Sequence, residues 1–257
     1  MNNRIVITGM SVNTPLGDTL DGFYEGLIAG RSAITAWKAF PVDRIYGKVG
    51  GDLSGYDIQG AAAALDGCIP DDVFKRLRKL VAKVPWSTRL SMLVAVEGWR
   101  DAGMFGTPYD LDRIALIVAG HNLNGGYQYD NRVQFAEEPD FIDGLSALYA
   151  LDTDHAGSIS EVLQVRGPIY TMGGACANGN IGLRSAMDEI RHHGAPAALV
   201  VGAALEFGPV DLHAMALMGP SPARASTTRR HGRAARTTPG GKDSSPPTAA
   251  RRSCSRS

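Results

Sequence analysis

Long apolar runs are missing from this sequence. No stretch of about 18 residues is hydrophobic enough to cross a membrane, so a transmembrane helix is not expected. Cysteine is scarce as well. Cys68, Cys176 and Cys254 are too few and too scattered for a disulfide framework, and a cytoplasmic setting is the expectation. Residues 1–9 enter a strand pattern directly, without the apolar stretch and small-residue cleavage site of a signal peptide. After Met218 the chain contains no Val, Ile, Leu, Met, Phe, Trp or Tyr. Such a segment cannot bury enough apolar surface to offset its ordering entropy, so residues 220–257 are expected to be a disordered tail rich in Arg, Ser, Pro and Ala.

Net charge is also missing, but the zero conceals a division. Residues 221–257 hold nine basic residues and one acidic residue, Asp243, which leaves the first 220 with 17 basic and 25 acidic residues, a net of −8. A basic tail can bind nucleic acid non-specifically. This one lacks the interleaved aromatic residues that single-strand binders use for stacking and carries no recognisable fold motif, so no nucleic-acid partner is expected.

What is present is 257 residues, 44% of them hydrophobic, which supports a sizeable core. Residues 4–8, Arg-Ile-Val-Ile-Thr, read as a buried strand ending at Gly9. Asp18 or Thr19 can cap a helix that runs to about Ile28 and stops at Gly30. Residues 31–72, rich in turn residues, read as an extension over the core. Residues 73–83 are basic and helical in pattern, and Ser87 to Ala102 repeats apolar residues at helical spacing before Gly103. Residues 113–119 form a continuous apolar run suited to a strand buried on both faces. Residues 121–143 are polar and aromatic, with turn signals at Asn124-Gly125-Gly126, and helical stretches are expected at 141–151 and 157–165. A strand at 168–172, a Gly-rich turn, a helix over 177–193 and a strand at 197–204 complete an α/β alternation with a mostly parallel sheet.

Cys176 is the leading candidate for chemistry. It follows a buried strand and opens a helix, whose N-terminus offers free N–H groups and a partial positive charge. Both favour thiolate, the nucleophilic form. Gly173 and Gly174 allow a sharp turn, and Ala175 and Ala177 leave room for a substrate. The same pattern fits an inert buried cysteine.

Residues 1–220 resemble the first half of a β-ketoacyl synthase. The resemblance rests on Ile5-Val-Ile-Thr-Gly-Met with Thr14-Pro-Leu-Gly, on Phe23-Tyr-Glu-Gly-Leu with Gly30-Arg-Ser-Ala-Ile, and on Gly174-Ala-Cys-Ala-Asn-Gly followed by Ala198-Leu-Val-Val-Gly-Ala. It implies an α/β, thiolase-like layered fold, of which residues 1–219 hold the first of two strand-helix repeats. It also implies a mechanism. Cys176 takes an acyl group from a carrier protein or coenzyme A, and a decarboxylated malonyl thioester attacks it in a Claisen condensation. Gly174, Ala175, Ala177 and Asn178 become the expected substrate-binding neighbours, with backbone N–H groups as an oxyanion hole. Acyl carrier protein is the implied partner, a homodimer through 168–172 the implied assembly, and no metal or redox cofactor is required.

Two departures limit what this chain is expected to do alone. The family usually has an acidic residue three positions before the cysteine, where Gly173 stands. Its catalytic His residues come from the second half, and none of His121, His155, His192, His193, His213 and His231 has the Gly-rich context of those motifs. His121 is expected to line or support the pocket, and His192 and His193 to form a solvated helix end. The truncated chain is therefore expected to be inactive in condensation. Residues 120–129 and 135–142 resemble a narrower group, free-standing ketosynthase-like proteins of polyketide clusters. Some of these decarboxylate malonyl-carrier protein, often with Ser in place of the Cys. A malonyl-carrier decarboxylase is the alternative activity, and a non-catalytic partner subunit a further one that Cys176 counts against.

The tail also reads as a frameshift product. Thr237 to Arg256 can be written in GC-rich codons whose adjacent frame contains Arg-Glu-Gly-Phe-Val, a run that resembles the synthase segment after the cysteine half.

Overall fold

The computed structural model describes residues 4–218. In chain order its elements are α1 (Leu20–Ile28), β1 (Ile34–Ala36), β2 (Val49–Gly51), α2 (Ile58–Ala63), α3 (Asp71–Val81), α4 (Trp86–Asp101), β3 (Ala115–Ala119), α5 (Gly125–Glu137), α6 (Ser146–Tyr149), α7 (Thr153–Leu163), β4 (Ile169–Met172), α8 (Asn178–His192), β5 (Ala198–Gly202) and α9 (Pro209–Met218). They fall into two compact units. One comprises residues up to Ser11 with 57–207. The other comprises 12–56 with the residues from Gly208 onward. The proposed tail, 220–257, lies outside the described residues.

The larger unit is built on a parallel sheet in the order β4-β3-β5. β3 is central and all five of its residues are buried, because it is covered on both faces. Side chains alternate across a strand. Ala115 and Ile117 cluster with Ala186 of α8, and Tyr170, Met172 and Val200 of the flanking strands pack against them. Leu116 and Val118 alternate to the opposite face and are equally enclosed. Helices α4 and α7 pack on each other and reach the sheet through β5 and β4. Gly182 explains how closely α8 lies on the sheet. A Cβ there would sit 2.9 Å from the Cβ of Ala119 and 3.2 Å from Cγ1 of Val200.

The smaller unit contains α1, whose N-cap is Thr19. Its hydroxyl accepts the Gly22 N–H at 3.1 Å, and the helix gives way to Gly30 at φ 62°. β1 and β2 form an antiparallel pair, Ile34 opposite Gly51.

Residues 4–8 form no strand, contrary to the sequence reading. Val6 and Ile7 are 66% and 72% exposed. A strand needs a ladder, and no described strand pairs with this segment. The residues just beyond it bond to α4 instead. The Met10 N–H donates to Asp101 Oδ2 at 2.9 Å, and Ser11 Oγ donates to the Val94 carbonyl at 2.6 Å.

A second difference is α5, which begins on the turn signals at Gly125-Gly126 and runs on through a stretch where the sequence reading placed no helix. None of its residues is buried, so it carries no apolar stripe. Polar bonds dock it. Gln128 Nε2 donates to the Ala150 carbonyl at 3.1 Å, and Tyr127 donates its hydroxyl to Asp143 Oδ2 at 2.7 Å. The helical stretches expected at 141–151 and 157–165 are α6 and α7, shorter and earlier respectively.

Candidate functional site

The candidate site is the connection between β4 and α8. β4 ends at Met172, Gly173 and Gly174 turn the chain, and Ala175–Ala177 form one 3-10 turn that leads into α8 at Asn178. Cys176 therefore stands at a strand-to-helix turn, where the sequence reading put it. It is a free thiol and it is exposed, so the described elements do not enclose it as the floor of a pocket. Ala175 adopts φ 49°, a left-handed conformation that costs a residue with a Cβ of order 1–3 kcal/mol and persists only where the surroundings over-determine it.

Two neighbours hold this turn. Asn178 Oδ1 accepts the Gly174 N–H, closing the turn from its helix side. Asn178 Nδ2 then remains as the donor and lies 3.4 Å from His121 Nδ1, so that nitrogen is the acceptor and the ring proton sits on Nε2. The imidazole also fills the space beside Gly173. A Cβ at Gly173 would approach the Cβ, Cγ and Nδ1 of His121 at 3.2, 3.3 and 3.4 Å. Gly174 is constrained too, since a Cβ there would meet Ile181 Cδ1 at 2.3 Å.

His121 lies in a braced loop. Asn122 has φ 53°, and the Asp152 carboxylate accepts the Asn122 and Leu123 N–H groups, each at 2.8 Å. The Asp152 carbonyl in turn accepts Thr171 Oγ1 of β4 at 3.1 Å. Asn124 is fully buried and donates Nδ2 to the Tyr149 carbonyl at 2.7 Å. Its Oδ1 faces His155 Nε2 at 3.3 Å, and Ser91 Oγ lies 3.0 Å from His155 Nδ1. The Asn124 orientation makes Nε2 the protonated nitrogen and Nδ1 the acceptor of the Ser91 hydroxyl. Burial holds the His155 pKa down at about 4, with Asp152 opposing the shift, so the ring is neutral near pH 7.

The sequence-derived site residues are thus placed as one turn: Gly174, Ala175, Cys176, Ala177 and Asn178 are contiguous, and His121 supports them from a loop. Sequence reading missed Asp152 and His155, which carry that loop. An Asp and a His three positions apart were the only available signal. His192 and His193 sit at the end of α8, paired with Asp188 at 3.9 Å and Glu189 at 3.1 Å, respectively.

A second polar group stands apart. Glu206, just after β5, is partly buried, and the backbone N–H groups of Ser87 and Tyr127, in the first turns of α4 and α5, face its carboxyl. Burial, reinforced by the charge of Asp130 and opposed by Arg89, pushes its pKa up to about 7.

Comparison with known proteins places this architecture. Residues 2–237 match the family described as beta-ketoacyl synthase, N-terminal domain, a match that continues past Gly219. The polyketide biosynthesis malonyl-ACP decarboxylase PksF of Bacillus subtilis is 22% identical over 84% of this chain and 48% of its own length. Nodulation protein E of Rhizobium leguminosarum bv. trifolii is 27% identical over 90% of this chain and 55% of its own. The solved ishigamide ketosynthase/chain length factor superposes with a TM-score of 0.64 at 21% identity, covering 83% of this chain and 49% of that one. The chain spans about half the length of the curated relatives it matches. Among the described residues, no helix is long and apolar enough to cross a membrane. The fold, the Cys-bearing turn and the family match agree: this chain belongs to the β-ketoacyl synthase family, in its N-terminal domain.

Proposed function

We propose that this chain is the acyl-accepting half of a β-ketoacyl-carrier protein synthase of fatty acid or polyketide biosynthesis, with Cys176 as the nucleophile. The observation that carries the reading is a solvent-open cysteine on a strained strand-to-helix turn in a chain of this family. The Cys176 sulfur attacks the carbonyl of an acyl thioester. The tetrahedral intermediate collapses, the carrier's sulfur leaves and takes up a proton, and the acyl group stays on Cys176. In the complete reaction a malonyl thioester loses carbon dioxide, and its carbanion attacks the acyl carbonyl and releases Cys176. The backbone N–H of Cys176 stabilises the oxyanion in both steps.

An acyl carrier protein is the expected partner. α3 presents exposed Lys75, Arg78 and Lys79 on an otherwise acidic body, a cationic surface suited to an anionic carrier and its phosphodiester-linked arm. A homodimer through the strand at 168–172 is supported by β4 being an edge strand of the described sheet, with all four residues half-buried. Work on soluble carriers fits a cytoplasmic enzyme.

The second reading, decarboxylation of malonyl-carrier protein, is favoured by the likeness to PksF. One assay separates the two. The full chain is incubated with carboxyl-labelled malonyl-carrier protein and an acyl-carrier thioester, and released carbon dioxide and β-ketoacyl product are both measured. Acyl transfer without either product is expected of this chain. Carbon dioxide without β-ketoacyl product supports the decarboxylase, and both together would overturn the dependence on a second repeat.

A further inference from the structure

We infer that His121 is a positioning residue for Cys176, acting through Asn178 and standing in the space that Gly173 leaves empty. The inference rests on the reading of Cys176 as the reactive group and specifies what holds it. The geometry forms a closed circuit. Thr171 on β4 holds the Asp152 carbonyl, Asp152 holds the backbone of Asn122 and Leu123, and that loop carries His121. His121 accepts from Asn178, and Asn178 holds the Gly174 N–H. The circuit starts and ends on the two sides of the turn that bears Cys176.

Two left-handed residues, Asn122 and Ala175, lie in this circuit, one in each of the segments it joins. Each strained position needs surroundings that define it. Asp152 supplies them for Asn122. For Ala175 the surroundings are the Asn178–Gly174 bond, and the His121 acceptor fixes which way the Asn178 amide points. Without that acceptor the amide is free to rotate, and Gly174 loses its partner for part of the time. Gly173 eases the arrangement, because a Cβ at 173 would lie tightly against the Cβ, Cγ and Nδ1 of His121, at 3.2 to 3.4 Å.

The test measures the second-order rate of Cys176 alkylation by iodoacetamide on the full chain, with the thermal unfolding midpoint recorded for every variant. His121→Leu keeps the bulk against Gly173 and removes the acceptor. His121→Asn keeps an acceptor at the position of Nδ1. His121→Leu is expected to slow alkylation about 3–10-fold, the equivalent of one net hydrogen bond, while His121→Asn stays near the wild-type rate. Asn178→Ala is expected to slow it by a similar factor, and the His121→Leu/Asn178→Ala double variant no further, because the two act in one chain. Wild-type rates in His121→Leu, or factors that multiply in the double variant, would overturn the inference. If His121→Leu lowers the unfolding midpoint, Asn178→Ala decides: a wild-type rate there overturns it as well. Alkylation does not depend on acyl transfer, so failure of the acyl-accepting reading would leave this result interpretable.

Discussion

Cys176→Ala is expected to abolish acyl-enzyme formation while leaving the fold intact. The side chain is exposed and belongs to no core cluster, so its loss removes little packing, and the change in stability is expected within about 0.5 kcal/mol. Chemically the change is large. Acyl transfer without a nucleophile has no covalent route, and removing such a group typically costs on the order of 10³-fold or more. Cys176→Ser is expected to fall between, because a hydroxyl is far less ionised than a thiol near neutral pH. Labelled acyl transfer and a thermal melt on each variant check both halves of the expectation. Acyl transfer at the wild-type rate in Cys176→Ala would mean that the chemistry lies elsewhere.

The second large effect is on stability against pH, and two groups oppose one another. His155 is fully buried and has a folded pKa of about 4 against an ordinary value near 6.5. Between those values the unfolded chain binds a proton that the folded chain refuses. Its contribution is therefore present above about pH 6.5 and is lost as pH falls toward 4, worth about 3 kcal/mol in full. Glu206 runs the other way. Its folded pKa of about 7 lies above its ordinary 4.5, so the folded chain retains a proton that the unfolded chain has lost. That contribution is present below about pH 4.5 and is lost as pH rises through 7. It is smaller, because the carboxyl is only partly enclosed.

The two slopes offset each other between about pH 4.5 and 6.5. Glu206→Gln is expected to unmask His155, giving a steeper loss of stability on acidification than wild type shows. His155→Gln is expected to lower stability at pH 7, by breaking the Ser91–His155–Asn124 chain, and to flatten or reverse the acid slope. Urea unfolding at pH 4.5, 5.5, 6.5 and 7.5 on the three proteins reads this directly. Identical slopes in wild type and Glu206→Gln would contradict the opposition.

Much of the architecture was legible in the sequence because burial writes itself as pattern. β3 is a continuous apolar run since both faces are covered, and the Gly-Gly-Ala-Cys turn lies between a strand pattern and a helix ending in Arg191 and His192. A cap at Asp18 or Thr19 was legible because both side chains can accept a helix N–H, and the structure uses Thr19. What was not legible depends on partners distant in sequence. α5 is held by side chains that bond to residues in 143–150, a relation no local period reveals. Residues 4–8 have the composition of a strand, but composition supplies no neighbouring strand, and the backbone just beyond them bonds to α4. His121 could be placed near the turn by resemblance. Its grip on Asn178 follows only from Asp152, 31 positions further along the chain, folding back on the His121 loop.

The central claim is that Cys176 accepts an acyl group from a thioester. Its most direct test is to incubate the full chain with an acyl-carrier protein thioester, measure the intact mass, and locate any adduct by peptide mass spectrometry. The account predicts a single acyl adduct, confined to the peptide that contains Cys176 and removed by neutral hydroxylamine as a thioester would be. No adduct under conditions where iodoacetamide still reaches Cys176, or an adduct carried by another residue, would contradict it.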